Sequence, residues 1–153
     1  MKEIIIKDTD DNTLYESCYE RRAQYYETDQ MGIIHHSNYI RWFEEARLHF
    51  MDEIGLSYAK IEEMGILIPV LSVDCQYKTM VHYNDIVDIY TRIIKFNGVK
   101  MTIAYRVVDH VTGEIRCTGE TSHAFLNREY RLVRLKREYP DLYELFISHL
   151  AVE

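Results

Sequence analysis

Between Tyr25 and Arg47 the chain reads YYETDQMGIIHHSNYIRWFEEAR, with an acid, Asp29, and two adjacent histidines, His35 and His36, between an extended segment and a helix. A helix start offers unpaired backbone N–H groups and the positive end of the helix dipole. It can hold an anion, or an oxygen that becomes anionic during reaction. A carboxylate a few residues upstream would add a base or nucleophile, and acyl transfer needs this pairing. The same residues also fit plainer roles. Loop aspartates near helix starts often cap or form turns, His36 can be an exposed polar residue, and Gly32 a turn residue with positive φ. Glu44 and Glu45, on the helix itself, are alternative carboxylates.

The elements around this hinge follow from periodicity. Ser17 to Tyr26 reads as extended. In NYIRWFEEARLHFMDEIG, Tyr39, Trp42, Phe43, Ala46, Phe50 and Ile54 recur at three- and four-residue steps, which predicts a long apolar helix. Ser37 or Asn38 can cap its start and Gly55 can end it. SYAKIEEMG predicts a weaker helical turn. VDCQYK, DIVDIYTRI, VKMTIAYRV and IRCTGETSHAFL alternate as strands, with Val99, Met101, Ile103, Tyr105 and Val107 on one face. HYND, Asn97-Gly98 and DHVTGE mark turns between them, so the last four strands are expected to join mainly by hairpins. PDLYELFISHL predicts a closing helix with proline in its first turn. The fold class is α+β: a curved antiparallel sheet of about five strands wrapped around one long helix. One domain over 1–153 is expected, with 1–16 an irregular N-terminal segment and 138–153 a C-terminal helix. Within the first segment EIIIK can form a short strand and DTDDN a turn.

Composition narrows the function. The 153 residues are 47% apolar with a net charge of −7, which predicts a packed core and argues against general nucleic-acid binding. No apolar run reaches the roughly 20 residues of a membrane helix, and the N-terminus has no secretory apolar region. A cytoplasmic location follows as the expectation. Cys18, Cys75 and Cys117 lack metal-ligand spacing and read as small buried hydrophobes, and no metal is expected. His123 reads as a hydrogen-bonded core residue, and His82 and His110 fall at turns.

YYETDQMGIIHHSNYIRWFEEAR resembles the signature of the 4-hydroxybenzoyl-CoA thioesterase family of hot-dog-fold proteins. It is most similar to the small acyl-CoA thioesterase branch, whose motif approximates Y-x-x-T-D-x-x-G-[VI]-[VI]-x-H-x-x-Y before an aromatic, acidic helix ending in Arg. The matching residues are Tyr25, Thr28, Asp29, Gly32, Ile33, Ile34, His36 and Tyr39, with Phe43, Glu44 and Arg47 on the helix. The resemblance implies the hot-dog fold and hydrolysis of acyl-CoA to free acid and CoA. Asp29 would be the catalytic carboxylate, as general base or nucleophile, and His36 and Tyr25 the side chains that orient it, water or substrate. The N–H near His36 would polarise the thioester carbonyl. Gly32, Ile34, Ser37 and Asn38 would contact substrate.

No cofactor is implied beyond the CoA of the substrate. The family also implies a homodimer or homotetramer, with sites between subunits. Arg128, Arg131, Arg134, Lys136 and Arg137 form the densest basic cluster and are candidates for the CoA phosphates, as are Lys95 and Lys100. Trp42, Phe43, Met51 and Met64 are expected to set the depth of the acyl pocket. Two alternatives share the fold: a hydratase or dehydratase using Asp29 with His36, and a non-catalytic acyl-CoA-binding protein.

Overall fold

The computed structural model describes residues 2–7 and 13–151. Its strands are β1 (Lys2–Lys7), β2 (Thr13–Arg22), β3 (Val70–Tyr77), β4 (Ile86–Phe96), β5 (Lys100–Asp109) and β6 (Ile115–Ala124). They form one antiparallel sheet in the order β1-β2-β4-β5-β6-β3. The helices are α1 (Ser37–Glu53), α2 (Tyr58–Met64), α3 (Leu135–Glu138) and α4 (Pro140–Ser148).

The five strands from β2 to β3 are the expected sheet, and β1 adds a sixth. Residues 2–7 pair antiparallel with residues 13–18, so EIIIK lies in a strand, as one reading of it anticipates, and the described part of the N-terminal segment is regular. Antiparallel return gives its backbone groups partners that an irregular segment would leave to water. The turn expected over DTDDN lies outside the described residues. The C-terminal helix is shorter than expected. It starts at Pro140, with proline in its first turn as anticipated but two residues after the expected 138, and ends at Ser148, after which Ala151 N–H bonds the carbonyl of Ile93 and draws the chain back to the sheet.

Hydrophobic period decides how α1 packs. Tyr39, Trp42, Phe43, Ala46 and Phe50 are buried against Ile89, Ile93, Met101, Ile103, Tyr105 and Val107 of the sheet. Phe43 stacks on Tyr105 with ring centroids 4.3 Å apart. A Cβ at Gly119 would lie 2.5 Å from the Asp74 carbonyl and 2.6 Å from the Phe43 ring, so the strand must be bare there for α1 to approach. Each large apolar side chain buried this way contributes roughly 1.5–3 kcal/mol. Register shifts in β3, β4 and β5 add bends to the sheet around the helix.

Two local expectations are corrected. Neither Ser37 nor Asn38 caps α1. Ser37 is already helical and its N–H meets Nδ1 of His35 at 3.1 Å, while the Asn38 amide reaches back to the carbonyls of Glu27 and His35. The hairpin run also breaks once: β3 pairs with β6 and β4 with β2, so residues 78–85 cross between them. That crossing passes the start of α1, where Ile34 N–H bonds the Val81 carbonyl and Ile33 pairs with His82.

Candidate active site

After Arg22 the strand ends, and Tyr25–Glu27 forms a single 3-10 turn where extended chain was expected to Tyr26. Its buried carboxylate, Glu27, organises the hinge. It accepts from Arg21 Nη1 (2.7 Å), the Gln24 N–H (2.8 Å) and the Trp42 indole N–H (2.9 Å). Its carbonyl accepts from the His35 N–H and the Asn38 amide. One residue thus ties the end of β2, the loop and the first turns of α1 together.

Asp29 sits half-buried at the head of a tight turn. Its N–H bonds the Ile33 carbonyl at 2.8 Å, its carbonyl accepts from Gly32, and Oδ1 accepts from the Met31 N–H at 2.8 Å. Among the described residues Oδ2 has no hydrogen-bond partner. Gly32, at φ +78°, supplies the left-handed turn residue that closes this loop. The His36 N–H likewise has no acceptor among the described residues, while its carbonyl accepts from the Tyr77 hydroxyl at 3.2 Å.

A groove of about 620 Å³ runs beside these groups. Asp29, Ile34 and His36 line it, with Tyr39, Tyr77, Lys78, Thr79, Met80, His82 and Arg116. The volume is in the range of small-molecule sites. Burial, reinforced by the neighbouring Cys117, pushes the Tyr39 phenol up to about 12, so it remains a neutral wall. Arg116 is engaged by Asp109, Glu114 and Thr79, whereas Lys78 has no ion-pair partner among the described residues. A second groove of about 410 Å³ lies between α1 and α2, lined by Glu44, Arg47, Leu48, Met51, Ile61 and Leu67 among others.

The remaining expected site residues lie elsewhere. Tyr25 is 75% exposed and packs edge to face on Tyr83, outside the groove. Gly32 shapes the Asp29 turn without lining the groove, Ser37 bonds His35 Nδ1, and Asn38 is buried holding the hinge. Trp42 and Phe43 are wholly buried in the core, and of the residues expected to set pocket depth Met51 alone lines the second groove. Glu45 is taken up by Arg21 and Tyr19. The C-terminal basic cluster and Lys95 and Lys100 do not line the Asp29 groove. Arg128 bonds the Glu62 carbonyl, and Lys136 lies over the Tyr143 ring. His123 is a buried hydrogen-bonded residue, as expected, with Nε2 2.7 Å from Thr121 Oγ1. Among the described residues Glu20, Asp88 and His110 bring three possible ligand atoms within 4.8 Å, but Nδ1 of His110 is bonded to Asp88.

Lys78, Thr79, Met80, His82 and Arg116 were not legible as site residues. They lie far along the chain from Asp29: residues 78–82 reach it because the β3–β4 crossing passes α1, and Arg116 because β6 pairs with β3 beside that crossing. Glu27 sits inside the motif, but its partner Trp42 is fifteen positions on, beyond any local pattern.

A curved antiparallel sheet enclosing one long helix is the hot-dog fold. The chain belongs to the thioesterase-like superfamily, whose model matches residues 23–144. It is 31% identical to YneP of Bacillus subtilis, whose name provisionally assigns it as an acyl-CoA thioesterase. That match covers 84% of this chain and 93% of the relative. Against the DHNA-CoA thioesterase of Staphylococcus aureus the identity is 34% and the TM-score 0.82, covering 87% of this chain and 89% of that one. A 1,4-dihydroxy-2-naphthoyl-CoA thioesterase from Synechocystis shares the fold at 16% identity, with a TM-score of 0.77 over 86% of this chain and 96% of the other. No helix among the described residues is long and apolar enough to cross a membrane.

Proposed function

We propose that this thioesterase hydrolyses acyl-CoA to the free acid and CoA in the groove beside Asp29. One observation carries the reading: Asp29, with a carboxylate oxygen that has no partner among the described residues, and His36, with an N–H at the start of α1 that has no acceptor among them, line the same groove. The Asp29 carboxylate takes a proton from water as it attacks the thioester carbon, or attacks that carbon itself to give an anhydride that water then cleaves. In either route the carbonyl oxygen gains negative charge, and the His36 N–H and the positive end of α1 stabilise it. The CoA sulfur leaves and takes up a proton. The His36 imidazole orients substrate or water. Lys78 is the cation available to a CoA phosphate, and no further cofactor is needed. The acyl-CoA activities named for the B. subtilis and S. aureus relatives support the substrate class.

The working unit is a homodimer, which can pair further into a tetramer. β3 is a terminal strand with Val70, Leu71, Val73 and Tyr77 exposed, and an unpaired apolar edge invites a second strand. Antiparallel pairing of two β3 strands brings the Tyr77 end of one copy beside the Val70 end of the other. The Asp29 groove then meets the partner's α1–α2 groove, which can receive an acyl tail.

Thiol release over a panel of aliphatic and aromatic acyl-CoAs tests the activity, with one CoA thiol expected per acid formed. CoA binding without thiol release from any member would instead establish a binding protein. Loss of an enoyl double bond without thiol release would establish a hydratase.

A further inference from the structure

Cys75 on β3 and Cys117 on β6 are diagonal neighbours across the paired strands, with Sγ atoms 3.1 Å apart. Both point to the face that carries α1. Cys75 stands opposite Gly119, where the sheet meets Phe43, and Cys117 is opposite Tyr77, whose hydroxyl holds the His36 carbonyl. Cys117 is wholly buried and Cys75 half-buried. We propose that Cys75 and Cys117 form a dithiol oxidation site, which takes a peroxide and closes into an intrachain disulfide between β3 and β6.

The two sulfurs suit different steps. The hydrogen bond between the two sulfurs, in which either can donate, holds the Cys75 thiol below its ordinary value and, with burial, pushes Cys117 far up. The more exposed partner therefore carries the thiolate, the form that attacks an oxidant. The Cys75 thiolate attacks one peroxide oxygen, forming an S–O bond while the O–O bond breaks and hydroxide leaves. Cys117 sulfur then attacks the Cys75 sulfenic sulfur, forming S–S while S–O breaks and a second hydroxide leaves. The two thiol protons convert both hydroxides to water, so the pair loses two electrons and the peroxide gains them. A disulfide is about 2.0 Å long, so the sulfurs close by about 1 Å between strands already hydrogen-bonded to each other. Pairing along the β3 edge uses backbone groups and leaves this side-chain face in place. Cys18, on β2 opposite Tyr90, is the internal control.

The test treats the reduced full-length protein with equimolar hydrogen peroxide, blocks remaining thiols with N-ethylmaleimide under denaturing conditions, and maps the peptides by mass. The expected result is loss of two of the three free thiols, a linked pair of peptides containing Cys75 and Cys117, and full recovery with dithiothreitol. Cys18→Ser leaves that linkage intact and Cys75→Ser abolishes it. Three intact thiols, separate sulfinic acids, or a linkage through Cys18 or between two chains would each overturn the proposal. Because the readout is the linkage in the wild-type chain, it stands or falls independently of thioester hydrolysis and of how the variants fold.

Discussion

At the hinge three donors converge on the Glu27 carboxylate, and two more on its carbonyl, although the residue is 4% exposed. A buried carboxylate with this many partners is stabilising only while all of them are present. Glu27→Ala strips the Trp42 indole and one face of the Arg21 guanidinium of their acceptors. The expected loss is about 3 kcal/mol of unfolding free energy, read from urea denaturation. A midpoint equal to wild type would mean the hinge is held by other contacts. His123 gives a pH signature. Burial, and then the nearby Arg47 charge, lower its pKa from 6.5 to about 4, so the folded protein keeps it neutral. The unfolded chain binds that proton first. Stability is therefore full above 6.5 and falls as pH drops from 6.5 towards 4, by up to about 3 kcal/mol. In His123→Gln the slope of unfolding free energy over that window should flatten relative to wild type, and an unchanged slope would place the pH sensitivity elsewhere.

On the scale of elements, α1 is positioned by its seat on the sheet and by the bonds at its first turn. Gly119→Ala adds a methyl group where the Asp74 backbone and the Phe43 ring already stand, and should cost about 1–3 kcal/mol in urea denaturation. Wild-type stability would show that the sheet and α1 separate freely. Tyr77→Phe removes the bond to the His36 carbonyl and no other side-chain bond to that turn. It should lower kcat roughly fivefold, matching a hydrogen bond worth about 1 kcal/mol, with the fold intact by circular dichroism. Most of these elements could be read from the chain. The periodicity of α1, the alternation of β5 and the Asn97-Gly98 turn are local signals, and the structure places each where they point. The cap of α1 and the β3–β4 crossing could not be read. The first depends on a His35 imidazole reaching forward to Ser37, the second on strand order, which no local pattern encodes.

For the whole molecule, the question is what completes the site. Lys substituted at both Leu71 and Val73 places charge along the exposed β3 edge and should convert a dimer into a monomer in analytical ultracentrifugation, with thiol release falling alongside. A wild-type chain that sediments as a fully active monomer would remove the interface from the account. The motif pointed to the acid and the helix start, because both lie within eight residues of one another in the chain. The other wall of the groove comes from the end of β3, the β3–β4 crossing and Arg116 on β6, all distant in the chain, and was invisible for that reason. The most direct measurement is steady-state acyl-CoA hydrolysis by Asp29→Asn, together with CoA binding by calorimetry on the same preparation. Expected is a kcat lower by about 10²–10⁴-fold with CoA affinity and oligomeric state unchanged. Turnover close to wild type in that variant would show that the chemistry belongs to another residue.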